Sequence, residues 1–170
     1  MLANIEKKDI MTNEELASSE LPVISTRFAM REDLAEVLDM YISALNEIQD
    51  YIEPVSVKKC AGLVFKNWLS APCVLLEKAN EIIGFAGFAS AIPEYSESVT
   101  MREYMFYIKP KHRSIRAAKI MSDKAKEASD ECGVPLYMTH MVFEHDAQKK
   151  VNFLKRWGYQ ILSIGVKYGR

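Results

Sequence analysis

The stretch YIKPKHRSIRAAKIMSDKAKEASDECGVPLYM, Tyr107 to Met138, decides how this chain folds. A β-branched and aromatic run closes at Pro110, because a residue before proline is held in extended backbone. A short basic turn, Lys111-His112-Arg113-Ser114, follows. Then Ile115, Ala118, Met121, Ala125, Ala128 and Cys132 recur at helical spacing. That stripe is narrow and mostly of small side chains, which lets a helix lie close to a sheet. Gly133 suits the position after a helix end, and Pro135 stops the helix. Leu136 to Phe143 then reads as a strand, so the stretch is a strand–helix–strand crossover between parallel neighbours.

The remaining elements lie on either side. Residues 1–21 are polar and mixed in charge: an arm that either frays or forms a short helix through a Thr12/Glu15 capping box. Pro22 opens a single domain over residues 22–170. Val23 to Ala29 reads as a strand. Leu34, Val37, Leu38, Tyr41, Leu45 and Ile48 follow a helical period, with Asp33 at the start, where an acid suits the dipole. A second helix over Ser56 to Leu69 is stopped by Ser-Ala-Pro. Cys73 to Ile92 reads as a hairpin turning at Ala79-Asn80-Glu81, and Gly84 and Gly87 mark a bulge or a close backbone approach. Val99 to Pro110 is a third long strand. Tyr104 and Tyr107 differ in parity along it, so only one faces any one side. Near the C-terminus a helix carries Ala147, Val151, Leu154 and Trp157 on one face and ends at Gly158, and a last strand begins at Tyr159. The order β-α-α-β-β-β-α-β-α-β is an α/β (α+β) pattern. It predicts a mixed, mainly antiparallel central sheet with helices on both faces.

Bulk properties exclude several functions. The chain has 170 residues, a formal net charge of -1 and 49% hydrophobic residues. A neutral chain has no global attraction to nucleic acid or to an anionic membrane, and its aromatics sit on apolar faces. Cys60, Cys73 and Cys132 are odd in number and none are at CxxC spacing, which argues against a disulfide framework and a zinc site; we expect small buried hydrophobes and no metal. The N-terminus lacks an apolar signal core and no apolar run approaches the ~20 residues that span a bilayer. A cytoplasmic location is the expectation.

The basic turn is an anion site by geometry. The first N–H groups of a helix lack intrahelical partners, and the dipole favours negative charge there. Arg113, Arg116 and Lys119 add full charges, and Ala117 and Ala118 permit close approach. The chain has no GxxxxGK[ST] and no GxGxxG after its first strand, so neither common nucleotide motif applies.

The element order, the turn RSIRAA and the ending FLKRWGYQ resemble the GNAT superfamily of N-acetyltransferases. The family pattern [Q/R]xxGx[G/A] places Arg113 first, Arg116 at the first Gly and Ala118 last, with Pro110 three residues ahead. An Arg-x-x-x-Ala-Ala form of the turn is similar to that of phage-encoded members. GFAGF at Gly84 to Phe88 and the late Trp-Gly-Tyr also match, and the likeness runs from about Ile24 to Tyr168. It implies acetyl-CoA as cofactor, with the pantetheine arm pairing along Phe106, Tyr107 and Ile108. The diphosphate would lie on the amides of Arg113, Ser114, Ile115, Arg116, Ala117 and Ala118. The strands at Tyr107 and Leu136 would splay to admit the thioester. Arg116 replaces a glycine and points outward, where Arg113 and Arg116 would both meet phosphate.

Acetyl transfer to an amine requires a base, a donor to the thioester oxygen and a leaving thiolate. Ile108 N–H is the candidate donor. Glu103 is the candidate base, or else an exposed charge paired with Arg102. His140 is the second catalytic candidate, or else a satisfied structural histidine. The Tyr general acid of the family falls at Leu154, and its usual Asn at Ala147, so the acid is absent; a thiol of pKa near ~8.5 leaves without much help. The acceptor, an amine of a small molecule or protein, would enter between the first two helices and the Ala89–Ser98 loop, beside Glu47, Asp50, Glu53, Glu94 and Glu97. The competing reading is a non-catalytic acyl-CoA-binding or host-protein-interaction relative. A homodimer is compatible with the family, with no sign in the sequence.

Overall fold

The structure, a computed structural model, describes residues 23–138 and 147–160. β1 (Ile24–Phe28), β2 (Cys73–Lys78), β3 (Glu81–Ala91), β4 (Thr100–Ile108) and β5 (Leu136–Tyr137) form one five-stranded sheet in that spatial order. β1 to β4 run antiparallel to their neighbours, and β5 lies parallel to β4. α1 (Leu34–Glu47) and α2 (Val57–Trp68) precede β2, α3 (Ile115–Cys132) joins β4 to β5, and α4 (Ala147–Arg156) follows. The expected order holds through α4. The arm over 1–21, the expected continuation of the strand to Phe143 with His140, and the expected last strand after its first two residues lie outside the described residues; Tyr159 and Gln160, where that strand was expected to begin, are not in a strand.

Each face of the sheet carries its own core. Val37, Met40, Tyr41 and Ala44 of α1, with Cys60 and Val64 of α2, pack on Cys73, Leu75, Phe85 and Tyr107. On the other face Ala117, Met121, Ala125 and Ala128 of α3 pack on Val74, Leu76, Ile83, Phe88 and Met101. The small-residue stripe of α3 lies close to the sheet: Met121, Ala125 and Ala128 are buried as expected and Ala118 packs beside them, but Ala117 is buried as well, while Ile115, at the helix's first position, is 58% exposed. Cys60 and Cys73 are buried and burial pushes the Cys73 thiol up to about 12, whereas Cys132 at the helix end is exposed.

Local signals close the elements. Asp33 accepts the Met30 N–H at 2.7 Å and a two-pronged contact from Arg27 at 2.6 and 2.9 Å, tying α1 to β1. The hairpin turns through Ala79 and Asn80, both in the left-handed region at φ 52° and 63°, which suits the right-handed twist of the strands. Gly133, at φ 65°, ends α3 as expected.

β4 carries two departures from plain pairing. Gly84 faces Ile108 so closely that a Cβ on Gly84 would lie 2.5 Å from the Tyr107 carbonyl oxygen. Further back, Gly87 pairs with Met105 but Phe88 pairs with Glu103, so Tyr104 is an inserted bulge residue. The Tyr104 ring lies over Gly87, where a Cβ would approach it to 2.4 Å. The bulge overturns the expected parity: Tyr104 and Tyr107 share the α1–α2 face, with Met105 between them.

Gly84→Ala is expected to lower unfolding free energy by about 1–3 kcal/mol, because backbone rather than a mobile side chain blocks the methyl. Gly62→Ala, within α2 and with nothing within 4 Å of its Cβ, is expected to stabilise by about 0.5–1 kcal/mol. Urea unfolding of the two variants checks both signs.

Candidate active site

The end of β4 and the start of α3 make one surface. Lys109 N–H donates to the Ile83 carbonyl at 2.8 Å, which marks Lys109 and Ile83 as a hydrogen-bonded pair. Antiparallel pairs alternate, so Tyr107 turns its N–H and C=O to β3, while Phe106 and Ile108 turn theirs to the opposite edge. The very close Gly84–Ile108 approach agrees, since pairs that exchange no hydrogen bonds lie nearer. Of the three residues expected to pair with an extended arm, Tyr107 therefore presents its backbone to the wrong side.

A single turn of 3-10 helix, Pro110–His112, leads into Arg113 and the N-cap Ser114. Ser114 Oγ accepts the Ala117 N–H at 3.1 Å, and its carbonyl accepts the Ala118 N–H at 3.0 Å. The N–H groups of Ile115 and Arg116 are left with no protein acceptor among the described residues. They point outward from the positive end of an 18-residue helix. Ala117 is fully buried beneath them.

Much of the turn's positive charge is compensated. Lys109 lies 3.4 Å from Glu36 and 3.3 Å from Glu81, and Lys111 lies 3.4 Å from Glu81. Those two lysines hold the Glu81 carboxyl below its usual range. His112 is turned toward Glu81 at 3.9 Å rather than solvated; burial and then Lys111 keep its pKa low. Lys119 pairs with Asp123 at 2.6 Å. Arg113 pairs with Glu47 of α1, lies 5.7 Å over the Tyr107 ring and donates from Nε to the Ile108 carbonyl at 2.8 Å. Arg116 is exposed and makes no ion pair among the described residues.

Glu103 is buried, not an exposed strand charge; Arg102 lies over the Tyr137 ring at 5.7 Å instead. Its partner in register is Phe88, so it faces α3. Burial pushes its carboxyl up to about 8. Its charge reaches Tyr159, whose hydroxyl is 2.8 Å from Ser122 Oγ of α3 and which burial pushes up to about 12. From Glu103 to Ile108 the paired stretch of β3 runs from Phe88 to Gly84, or about 13 Å at ordinary strand rise. Glu103 and the Ile108 N–H are thus too far apart to serve one thioester carbon together. Leu154, at the position of the missing acid, is half-buried on α4.

On the α1–α2 face an open depression of about 470 Å³ is lined by Asn46, Gln49, Asp50, Ile52, Pro54 and Val55. It adjoins Glu47. Of the five acids expected at an entrance, Asp50 lines this depression and Glu47 is spent on Arg113; Glu53, Glu94 and Glu97 are exposed. Among the described residues no group of three or more His, Cys, Asp or Glu gathers as a metal site would, and no helix is long and apolar enough to cross a membrane.

The Glu47 contact and the Tyr159–Ser122 pair escaped the sequence reading. Each joins residues far apart in the chain, and no spacing rule reports them.

Solved structures share this architecture. A predicted acetyltransferase from Clostridium acetobutylicum, solved with acetyl-CoA, matches at a TM-score of 0.65 and 17% identity, over 86% of this chain and 96% of its own. A GNAT family acetyltransferase from Staphylococcus aureus matches at 0.59 and 18%, over 86% and 98%. An aminoglycoside acetyltransferase from an uncultured soil metagenomic sample, in complex with sisomicin, matches at 0.61 and 13%, over 86% and 96%. The fold is that of the GNAT acetyltransferases. No protein-family model matches the sequence, and no curated protein does.

Burial keeps Glu103 protonated to about pH 8 when its ordinary value is 4.5. Between those values the folded chain holds a proton the unfolded chain has released, so stability falls as pH rises through that window. Glu103→Gln is expected to remove this fall. Unfolding free energies of the two proteins should converge near pH 4 and separate by pH 8, with the variant the more stable; parallel curves would contradict the assignment.

Proposed function

We propose that this protein is an acetyl-CoA-dependent N-acetyltransferase, passing the acetyl group directly to an amine in a ternary complex. The observation that carries the reading is the pair of outward amides, Ile115 and Arg116, beside an unengaged Arg116 side chain at the end of β4. That suits a diphosphate: two N–H donors, a helix dipole and an exposed guanidinium with no ion pair among the described residues. The shared fold with a predicted acetyltransferase solved with acetyl-CoA and with an aminoglycoside acetyltransferase supports the same reading.

A cofactor anchored there extends back along β4. It meets the Ile108 N–H first and the Tyr104 bulge later, with Glu103 beyond. In this reading Ile108 pairs with the pantetheine arm and is not the donor to the thioester oxygen. Glu103 is the base, next to Arg102, where the described β4–β5 pairing ends. With its carboxyl raised to about 8, Glu103 acts as a base through its ionised fraction, so transfer should quicken as pH rises toward 8. The chemistry forms a bond from the amine nitrogen to the acetyl carbon, breaks the carbon–sulfur bond and releases the CoA thiolate. The base takes the proton that frees the amine lone pair, and the second proton, shed by the nitrogen as the amide forms, goes to the departing thiolate to give CoA thiol. Asp50 at the depression on the α1–α2 face favours the approach of a cationic amine; Glu103 lies on the opposite, α3 side of the sheet, so the depression is an entrance and not the place where the proton is taken. His140 is the remaining catalytic candidate. A cytoplasmic enzyme acting on soluble amines, with the 22–170 segment as one domain, completes the reading.

CoA at a hundredfold excess over its dissociation constant should add about 2.7 kcal/mol to the stability of the native protein, seen as a rise of the melting temperature. Arg116→Ala should weaken CoA binding by about tenfold, the worth of a charge-assisted hydrogen bond. No rise at millimolar CoA would remove the acetyl-CoA reading. Binding without thiol release against a panel of amines would favour the non-catalytic relative.

A further inference from the structure

We propose that Glu47 is a positioning residue for the cofactor turn, acting through Arg113; the inference rests on the acetyl-CoA reading above. Glu47 is the last residue of α1. One of its oxygens receives Arg113 Nη2, and the other accepts the Tyr107 hydroxyl at 2.9 Å. Arg113 folds back over the Tyr107 ring and donates from Nε to the Ile108 carbonyl at 2.8 Å. These contacts close a ring: Tyr107 and Ile108 are neighbours at the end of β4, Arg113 ends the turn, and Glu47 comes from another helix.

The turn has few backbone bonds of its own, and its Lys109, Lys111 and His112 side is held by Glu36 and Glu81, which leaves its Arg113 end to a separate tie. Between Ile108 and Ser114 its own backbone bonds are His112 N–H to the Lys109 carbonyl at 2.9 Å and Arg113 N–H to the Pro110 carbonyl at 3.3 Å. The Arg113 side chain ties the end of the turn back to the end of the strand. Ile115 and Arg116, whose amides face outward, follow two and three residues later. How well those amides are aimed before a ligand arrives depends on Arg113, and the Arg113 head group is fixed by Glu47. Donors aimed in advance bind more tightly, because their ordering cost is not met during binding.

Charge alone predicts the opposite sign. Removing a carboxylate beside an anion site should strengthen the binding of a polyanion. A strut predicts weaker binding when Glu47 loses its charge, and no further loss once Arg113 is gone.

The test is calorimetric titration with CoA of wild type, Glu47→Gln, Arg113→Ala and the double variant. All are measured at one temperature, at which circular dichroism shows each folded. Glu47→Gln is expected to weaken CoA about tenfold, and less than about twofold in the Arg113→Ala background, the signature of residues acting as a unit. Tyr107→Phe deletes only the hydroxyl held by Glu47; it should weaken CoA measurably and decides the matter if Glu47→Gln does not fold. A merely structural role would lower melting temperatures and leave CoA affinity unchanged. Tighter or unchanged CoA binding in Glu47→Gln, or the same loss with and without Arg113, overturns the inference while the acetyl-CoA reading stands. If wild type binds no CoA, both fall.

Discussion

Everything at the candidate site hangs on how β4 is held against β3. At Gly84 the two backbones approach more closely than any side chain allows, which fixes the far end of β4 and turns the Ile108 N–H and C=O outward. Just past the third pair back, Gly87–Met105, the bulge at Tyr104 shifts the register and brings two tyrosines to one face. Overpacking such contacts costs on the order of 1–3 kcal/mol, so two glycines carry a large share of the site's geometry. The turn, the helix start and the buried Glu103 all take their positions from that strand.

Charge then decides what the surface can hold. The basic turn contains Lys109, Lys111, His112 and Arg113, yet Glu36, Glu81 and Glu47 answer most of that charge within the protein. Exposed pairs of this kind contribute only about 0–1 kcal/mol each to stability. Their larger effect is to leave Arg116 as the cation ready for an anion, beside amides that need one. A turn that reads as strongly basic in the sequence is, in three dimensions, a nearly neutral collar around a small positive spot.

The frame was legible in the sequence wherever a residue acts on its own neighbours. Pro110 ended a strand, Gly133 closed a helix in the left-handed region, and Ala79-Asn80 turned a hairpin. Gly84 and Gly87 were readable as a bulge or a close approach because glycine inside a strand has few other uses, and both occur. What depends on cross-strand register was not readable: the bulge that brings Tyr104 to the side of Tyr107, and the burial of Glu103 against α3. The Glu47–Arg113 contact joins residues 66 positions apart. Either partner alone looks like an ordinary surface charge, and only the folded chain shows them sharing a hydrogen-bonded ring with Tyr107.

Amide chemical-shift mapping during titration with acetyl-CoA addresses the central claim most directly, because it reads the β4 end and the α3 start residue by residue. The largest changes should fall at Ile108 and at Ser114 to Arg116, and then along β4 toward Tyr104. Changes confined to other elements, or none at saturating cofactor, would contradict a cofactor site built on this strand and helix.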